Sequence, residues 1–370
     1  MVKRELGKTG LKTTLIGFGG YHLVEIPTGE VAKLLNAYLD MGGNYIETAA
    51  DYGNRVSEKK VGSAVFRRRG DFILATKTRR RMKEEARLSL EESLRNLKTD
   101  CVDIFFMHAV QTIEEAHEIL GPEGAMEASV KAQRDGKIRF IGITGHGQVD
   151  TILYSIKQYP YDVMMAGFNY YDKFNYPKTE DIILPESLKR GIGVIGMKAL
   201  ADGYLYRSST SAIRYTLSLP ISTLVLGMNT EKFLRDNIKI VSQFKPLTEK
   251  EKEALYLKAP ELGDYVCRLC KKCKDDGGFE PYGVFLLEGM YDRQMDDKRV
   301  GNPEAYALRE RLKFWFSQAE RARREYQLLK YSVNPEKDYS YLNKKCPYGI
   351  DIDRKLKIAH SKLSDDGYIF

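Results

Sequence analysis

Near its N-terminus the chain reads NYIETAADYG at residues 44–53, a short apolar run that ends in polar side chains. Runs of this kind, rich in apolar and β-branched residues, recur about every 30 residues, which is the length of one β-strand followed by one helix. Eight of them are present, at Leu15–Gly19, Asn44–Thr48, Phe72–Lys77, Val102–His108, Arg139–Thr144, Val163–Asn169, Gly193–Lys198 and Thr223–Met228. The spacing predicts eight repeated β-strand and α-helix units.

The segments between the runs have the pattern of amphipathic helices. Between the first two runs, apolar residues recur at helical spacing, at Val31, Leu34, Leu35, Tyr38 and Leu39. The runs themselves are apolar along most of their length, as expected for parallel strands that are covered on both faces. Eight such units predict an α/β fold, a (β/α)8 TIM barrel, and residues Arg4–Thr14 predict a small hairpin that covers the bottom of the barrel.

The repeat stops after Glu231–Gln243, and the remaining sequence has a different character. One stretch, Pro303–Tyr331, predicts a long, arginine-rich helix with an apolar stripe along one face. The stripe consists of Leu308, Leu312, Trp315, Phe316, Ala319 and Tyr326. We therefore predict two domains, a barrel at residues 1–262 and a mostly helical, cysteine-rich extension at residues 263–370.

The composition indicates an ordinary globular protein. Of the 370 residues, 59 are basic and 51 acidic, which gives a formal net charge of +8. Because the two signs are interspersed, this charge does not predict a nucleic-acid partner. No apolar run approaches the roughly 20 residues that a membrane-spanning helix needs, and the first residues have no signal-peptide core. These features predict a cytoplasmic protein that does not bind membranes.

Polar residues at the ends of the predicted strands are candidates for catalysis, because catalytic groups of such barrels lie at the C-terminal strand ends. Glu47 and Tyr52 follow the second run, Lys77 ends the third and His108 ends the fourth. An ammonium stabilises tyrosinate and lowers the pKa of a nearby tyrosine, and a carboxylate holds that ammonium in place. Each residue alone is compatible with an ordinary polar contact, but the four together predict a proton-donating site.

The segments around these residues resemble the aldo-keto reductase family. Three stretches carry the resemblance, namely residues 44–53, the strand end at Lys77 and the segment Asp103–His108. They are similar to the three segments that hold the catalytic tetrad of the family, and the similarity extends from Arg4 to about Asn237. The resemblance implies a hydride transfer between a nicotinamide cofactor and a small-molecule carbonyl or alcohol.

The same resemblance implies a role for each member of the tetrad. Tyr52 is expected to be the general acid, Lys77 to tune it and His108 to orient the substrate carbonyl. Glu47 stands where the family usually has aspartate. The carboxylate is retained, but the extra methylene changes its reach toward Lys77.

A further set of residues is expected, by resemblance, to bind the cofactor. It consists of Gly19, Gly20, Tyr21, Thr144, Gly145, Asn169, Met197, Lys198, Leu200, Gly227, Met228, Asn229, Arg235, Asp236 and Asn237. Thr144, Gly145 and Asn169 correspond to positions that contact the carboxamide, and the pair Asp236 and Asn237 resembles one that contacts the adenine.

The identity of the nicotinamide cofactor depends on the residues near its 2′-phosphate. Some relatives have Lys and Arg where this chain has Gly227 and Phe233, and Arg235 is the nearby residue that could replace them. The loop that begins at Gly227 leads into a helix N-terminus, which is suited to an anion. We expect NADP, with NAD as the alternative.

Four cysteines in the C-terminal part form a candidate metal-binding set. Cys267, Cys270 and Cys273 are each separated by two residues, and Cys346 is followed by a proline. This pattern predicts a [4Fe-4S] cluster, and a zinc ion is the alternative. A subset of aldo-keto reductases resembles the arrangement, but the long insertion before Cys346 departs from it. We expect the cluster to be chiefly structural, with electron transfer to a partner as the alternative.

The sequence as a whole predicts an NAD(P)-dependent oxidoreductase that reduces an aldehyde or ketone, or oxidises the alcohol. One alternative is an electron-transfer oxidoreductase that uses the iron–sulfur cluster and a flavin on the same barrel. The other is a non-catalytic, cofactor-binding regulatory subunit, which the presence of Tyr52, Lys77 and His108 disfavours.

Overall fold

A closed barrel of eight parallel strands forms the first part of the molecule. The computed structural model describes residues 1–146, 149–275, 277–293, 318–331 and 333–364. After the hairpin strands β1 (Lys3–Glu5) and β2 (Lys12–Thr14), the barrel strands are β3 (Ile16–Gly19), β4 (Tyr45–Glu47), β5 (Ile73–Thr78), β6 (Val102–Met107), β7 (Ile138–Thr144), β8 (Val163–Gly167), β9 (Gly193–Met197) and β10 (Thr223–Gly227). Each barrel strand coincides with one of the predicted runs, and the predicted (β/α)8 barrel is confirmed.

Helices lie between successive strands of the barrel, and the last of them follows β10. They are α1 (Thr28–Asp40), α2 (Val56–Val65), α3 (Lys83–Leu97), α4 (Ile113–Leu120), α5 (Ala125–Arg134), α6 (Val149–Gln158), α7 (Asp172–Asn175), α8 (Leu184–Lys189), α9 (Ser209–Leu217) and α10 (Glu231–Ser242). The stripe predicted for the first helix is the buried face of α1, formed by Val31, Leu34, Leu35, Tyr38 and Leu39. Within the described ranges, no helix is long and apolar enough to cross a membrane.

The predicted N-terminal hairpin packs against the N-terminal ends of the barrel strands. Leu6 and Leu11 are buried with interior side chains of the barrel, among them Tyr45, Ile73, Ala75, Ile104, Phe106, Val163, Met165, Ile195 and Val225. The turn of the hairpin requires glycine at residue 7, where φ is +53° and a Cβ would lie 2.3 Å from the backbone nitrogen of Gly193. The bottom of the barrel is therefore closed by apolar side chains, and its open end is the C-terminal one.

The chain divides into two compact units. The first consists of Met1–Asn169 and Lys178–Pro246 and contains all the barrel strands. The second consists of Tyr170–Pro177 and Leu247–Phe370. The sequence pattern does not indicate that a short segment after β8 belongs to the second unit. The main division between the units, after Pro246, comes earlier in the chain than the predicted domain boundary at residue 262. That boundary stays a prediction.

The second unit is mostly helical, as predicted for the extension. Its longer helices are α11 (Glu249–Lys258), α12 (Pro281–Arg293), α13 (Gln318–Gln327) and α14 (Ile352–Leu363). Apolar residues such as Phe285, Leu287 and Leu356 form a core of its own. Helix α13 lies within the predicted helix Pro303–Tyr331, and Ala319 and Tyr326 are buried there. The other predicted stripe residues lie outside the described part of the chain, namely Leu308, Leu312, Trp315 and Phe316.

Candidate active site and cysteine set

The four residues predicted to be catalytic lie at the C-terminal ends of adjacent barrel strands. Glu47 ends β4, Lys77 lies one residue before the end of β5, and His108 directly follows β6. Tyr52 lies in the loop after β4. Because β4, β5 and β6 are neighbours in the barrel, these side chains meet at one rim.

Lys77 is the centre of this group. Its ammonium nitrogen Nζ donates to the Tyr52 hydroxyl at 3.1 Å and to the Thr48 carbonyl oxygen at 3.0 Å. The ammonium also forms an ion pair with the Glu47 carboxylate, and the two side chains are 1% and 4% exposed. Glu47 therefore reaches Lys77 despite its extra methylene. Burial lowers the pKa of Lys77 well below its ordinary value.

Tyr52 lies among other rings and is partly buried. Its ring makes edge contacts with the rings of Tyr21, at a centroid distance of 5.0 Å, and His108, at 5.8 Å. Burial is the main reason that the pKa of Tyr52 lies above its ordinary value, and the charges of Tyr21 and Asp51 add to it. This direction is opposite to the one that the Lys77 ammonium alone predicts. Tyr52 therefore keeps its hydroxyl proton at neutral pH.

Asp51 is a member of the site that the sequence reasoning missed. Its carboxylate oxygen Oδ2 lies 3.2 Å from Nδ1 of His108. Burial lowers the pKa of His108 to about 4, although the hydrogen bond to Asp51 opposes that shift. The one signal in the sequence is a carboxylate directly before Tyr52. That signal does not identify the partner, which lies far along the chain.

The backbone at His108 is held by side chains from two other strand ends. The guanidinium nitrogen Nη2 of Arg81 donates to the carbonyl oxygens of His108 and Ala109, at 3.0 and 3.2 Å. The hydroxyl of Thr144 accepts the Ala109 N–H at 2.8 Å. Ala109 has a φ of +49°, a conformation that L residues rarely adopt. These contacts hold the residue after His108 in that conformation.

The residues expected at the carboxamide lie on the same rim. Thr144 ends β7, and Asn169 follows β8 and donates through Nδ2 to the Lys198 carbonyl oxygen at 3.0 Å. The Lys198 ammonium in turn lies 3.3 Å from the Asp202 carboxylate. At Gly145 a Cβ would lie 2.5 Å from Cγ1 of Ile152, so a larger residue would require the Ile152 side chain to move. Thr144, Gly145 and Asn169 are thus placed around one corner of the barrel mouth.

Gly19 and Gly20, the expected residues at the end of β3, pack closely against β4, the strand that ends in Glu47. The Gly20 N–H donates to the Glu47 carbonyl oxygen at 2.8 Å, and the Ser57 hydroxyl donates to the Gly20 carbonyl oxygen at 2.7 Å. A Cβ on Gly20 would lie 2.5 Å from that Glu47 oxygen. Gly19 pairs in register with both Glu47 and Gly227. The two glycines therefore have a packing role beside Tyr21.

The loop after β10 leads into helix α10, as the sequence predicts. Thr230 caps the helix, since its hydroxyl accepts the Phe233 N–H at 3.1 Å. Arg235 pairs with Glu231 at 2.6 Å on the exposed surface of the helix. Asp236 also lies on the exposed surface of the helix, where its carboxylate is 2.5 Å from the ammonium of Lys232. The other expected residues here and after β9 are Met228, which is buried, Gly227, which is exposed, and Met197, Leu200, Asn229 and Asn237, which are partly buried.

Three of the four cysteines of the C-terminal part pack on the apolar core of the second unit, and Cys270 is exposed. Cys273 is buried in the apolar core of this unit, and Cys267 and Cys346 pack against the same core. The segment before Cys346 is tied to the segment after Cys273, because the Lys345 ammonium donates to the Lys274 carbonyl oxygen at 3.1 Å. All five cysteines of the chain are free thiols.

The loop that carries Cys267, Cys270 and Cys273 has an irregular backbone. Leu269 and Lys271 have φ values of +52° and +62°, in the left-handed region. Left-handed residues within a turn direct successive N–H groups toward one side, which suits an anion or a thiolate. The Leu269 N–H donates to the Cys267 sulfur at 3.4 Å. In the part of the chain that is described, no three His, Cys, Asp or Glu side chains are arranged to hold a metal ion.

Comparison with known proteins agrees with this geometry. Residues 15–218 match the model of the Aldo/keto reductase family. The chain is similar to L-galactose dehydrogenase of Arabidopsis thaliana, with 29% identity over 66% of this chain and 89% of that protein. It is also similar to the uncharacterized oxidoreductase YqkF of Bacillus subtilis, with 25% identity over 69% of this chain and 95% of that protein.

Solved structures share the barrel. An aldo-keto reductase of Bacillus halodurans has a TM-score of 0.59 and 24% identity, over 68% of this chain and 94% of that chain. An aldo-keto reductase of Klebsiella pneumoniae, solved in complex with NADPH, has a TM-score of 0.56 and 18% identity, over 69% of this chain and 95% of that chain. The match to the family model covers more than half of the chain. The chain therefore belongs to the Aldo/keto reductase family and is an NAD(P)-dependent oxidoreductase.

Proposed function

We propose that this enzyme reduces an aldehyde or ketone to an alcohol, or oxidises the alcohol, with Tyr52 as the proton-donating residue. One observation carries the proposal. The Tyr52 hydroxyl accepts a hydrogen bond from Lys77 at 3.1 Å, and Lys77 is itself paired with the buried Glu47. A positioned hydroxyl at this rim stabilises the negative charge that develops on a carbonyl oxygen as hydride arrives.

The residues around the barrel mouth suit a nicotinamide cofactor, which supplies the hydride. Thr144 and Asn169 are the polar groups that would contact its carboxamide, and the N-terminus of α10 would face a phosphate. We propose NADP as the cofactor, with Arg235 at the 2′-phosphate and NAD as the alternative. The NADPH complex of the Klebsiella pneumoniae relative supports this preference.

We further propose that Cys267, Cys270, Cys273 and Cys346 hold a [4Fe-4S] cluster. Two features of the chain fit such a group. Cys267, Cys273 and Cys346 pack on one core of the second unit, and a backbone N–H donates to the Cys267 sulfur. The spacing of three cysteines two residues apart, with a remote Cys-Pro, favours a cluster over zinc, whose sites more often pair two separate Cys-x2-Cys turns.

A cluster at these cysteines would allow one alternative function, in which it exchanges single electrons with a partner or a bound flavin. Hydride transfer moves two electrons together, so a cluster cannot take part directly in nicotinamide chemistry. Visible spectra of protein purified without oxygen separate the two proposals. Flavin absorbance would favour electron transfer, and cluster absorbance alone would favour the reductase with a chiefly structural cluster.

The experiment that tests the proposed reaction is a turnover screen with both cofactors. Oxygen-free protein is mixed with NADPH or NADH and a panel of aldehydes, ketones and quinones, and with the oxidised cofactors and a panel of alcohols. L-galactose belongs in the second panel because of the Arabidopsis thaliana relative. We expect turnover in at least one panel. Cofactor binding without any turnover would instead support the regulatory subunit.

A further inference from the structure

The residues that follow Tyr52 adopt a backbone conformation that needs support from elsewhere in the fold. Gly53, Asn54 and Arg55 are consecutive residues in the left-handed region, with φ values of +59°, +48° and +72°. Glycine adopts this conformation freely, asparagine less readily and arginine rarely. Helix α2 begins directly afterwards, and its Ser57 N–H donates to the Tyr52 carbonyl oxygen at 3.2 Å. The position of Tyr52 therefore depends on what holds this left-handed turn.

The side chain of Arg55 anchors the turn to two helices. Its guanidinium is 12% exposed and pairs with the carboxylates of Glu58 in α2, at 3.1 Å, and Glu92 in α3, at 2.8 Å. The same guanidinium donates to the hydroxyls of Ser89 and Ser93, both at 3.1 Å. These two serines and Glu92 share one face of α3, because they are three and four residues apart. A planar guanidinium with five N–H groups can make all these contacts at once, whereas the compact ammonium of a lysine cannot.

Two relays lead from this guanidinium to strand β5. In the first, the completely buried carboxylate of Glu58 accepts a hydrogen bond from the Thr76 hydroxyl at 2.7 Å. In the second, the Ser89 hydroxyl accepts one from the Thr78 hydroxyl at 3.0 Å. Thr76 and Thr78 are the two neighbours of Lys77 on β5, and their side chains lie on the outer face of the strand because successive side chains alternate. The guanidinium is therefore connected, through one side chain each, to the residues before and after Lys77.

We propose that Arg55 is a positioning residue that holds the Tyr52 hydroxyl at hydrogen-bond distance from Lys77. This inference rests on the proposed function, in which the 3.1 Å contact between those two side chains supports proton donation. Arg55 lies three residues after Tyr52 in the chain and reaches both neighbours of Lys77 through its relays. It thereby fixes the loop against the strand from the helix layer outside the barrel, and it acts on the reaction only through Tyr52.

A positioning role and a merely structural role of Arg55 differ in how substitutions combine. An ion pair that only joins α2 to α3 stabilises the barrel and has no particular effect on kcat. If Arg55 acts through Tyr52, its substitution lowers kcat only while the Tyr52 hydroxyl is present. Two independent effects would instead multiply in the double variant.

Steady-state kinetics with 4-nitrobenzaldehyde and NADPH test this difference. Arg55→Lys should lower kcat about ten- to a hundredfold, because a small displacement of a catalytic group is costly, and leave the dissociation constant of NADPH unchanged. The double variant with Tyr52→Phe should have the kcat of Tyr52→Phe alone. Arg4→Lys is the matched control, because Arg4 donates to the carbonyl oxygens of Leu217 and Ile221 at the closed end of the barrel and should not affect kcat. A wild-type kcat in Arg55→Lys, or a further loss in the double variant, would overturn the proposal.

Fluorine NMR tests the same contact without turnover, in protein that carries a single fluorotyrosine in place of Tyr52. Arg55→Lys should shift or broaden the fluorine signal, because the ring is no longer held at Lys77, and Arg4→Lys should leave it unchanged. An unchanged signal in Arg55→Lys would refute the proposal. If that variant does not fold, Ser89→Ala takes its place with the same expected result, since it removes only one relay. Turnover that survives in Tyr52→Phe would count against the proposed function instead, because the fluorine signal requires neither cofactor nor substrate.

Discussion

At the scale of single residues, the site depends on burial as much as on neighbouring charge. Lys77 contacts Tyr52, Glu47 and the backbone in a space from which water is excluded. Burial moves the pKa of Lys77 down and that of Tyr52 up, because a buried group loses the hydration of its charged form. Tyr52 is therefore protonated and can donate a hydrogen bond. Removing its hydroxyl should destabilise the transition state more than it weakens the binding of the cofactor.

Replacing Tyr52 tests that expectation. Tyr52→Phe should lower kcat by 10²–10⁴-fold, about the range of general acid–base catalysis, and leave the dissociation constant of the cofactor nearly unchanged. Steady-state kinetics and cofactor fluorescence measure the two quantities. Tyr159→Phe is the control, because Tyr159 lies between α6 and β8 at the opposite end of the barrel strands. A variant that retained more than about a tenth of the wild-type kcat would disprove the role of Tyr52.

Arg235 is the residue that should decide between the two nicotinamide cofactors. Its guanidinium is bound to Glu231 through two hydrogen bonds of 2.8 and 2.6 Å, and must exchange this partner for the 2′-phosphate. Arg235→Ala should reduce NADPH affinity about ten- to a hundredfold without changing NADH affinity. Glu231→Gln should act in the opposite direction, since it releases the guanidinium. Equal NADPH affinity in wild type and Arg235→Ala would show that another group binds the phosphate.

At the scale of elements, a short segment of the barrel sequence belongs to the second unit. Helix α7 follows β8 closely, and its Asp172 receives two hydrogen bonds from Arg293 at the end of α12, of 2.6 and 3.1 Å. The Arg293 side chain is completely buried. A second buried pair joins Glu288 of α12 to Lys355 of α14 at 2.5 Å. Ion pairs therefore connect the elements of this unit through its interior.

The pair between Arg293 and Asp172 should be important for the stability of the second unit. Arg293→Met removes both of these hydrogen bonds from the buried Asp172 carboxylate, and breaking a buried ion pair in this way lowers the free energy of unfolding by about 3–5 kcal/mol. Urea unfolding followed by far-ultraviolet circular dichroism measures the change. Lys357→Ala removes a pair with Asp353 on the surface of α14, where the effect should be below about 1 kcal/mol. Equal effects of both substitutions would contradict this assignment.

At the scale of the whole molecule, two units have different sources of stability. The barrel has a continuous apolar interior closed at the bottom by the hairpin. The second unit has an apolar core of its own, but several of its connections are polar loops, and the four cysteines lie on two of them. A cluster held by both loops would stabilise this unit in the way that a metal stabilises small domains.

Replacing one of the four cysteines tests whether the proposed cluster is present and structural. Cys270→Ser, purified without oxygen, should lose the brown colour, melt at a lower temperature and become sensitive to protease beyond Leu262, while carbonyl turnover is largely retained. Cys101→Ser is the matched control, because Cys101 lies directly before β6 of the barrel and should leave the colour unchanged. Loss of turnover in Cys270→Ser with an intact fold would instead place the cluster in the path of electrons.

The sequence by itself determined the barrel, because each strand and helix leaves a local pattern of apolar residues. The stripe on α1 and the run at residues 44–53 are examples, and the strand ends then place Glu47, Tyr52, Lys77 and His108 on one rim. Only the tertiary structure decided which groups pair and how far water is excluded. Three features depend on neighbours that are distant in sequence. They are the contact of Asp51 with His108, the place of Tyr170–Pro177 in the second unit and the raised pKa of Tyr52. Periodicity reports which face of an element is buried, whereas pairing and desolvation depend on what the folded chain places against it.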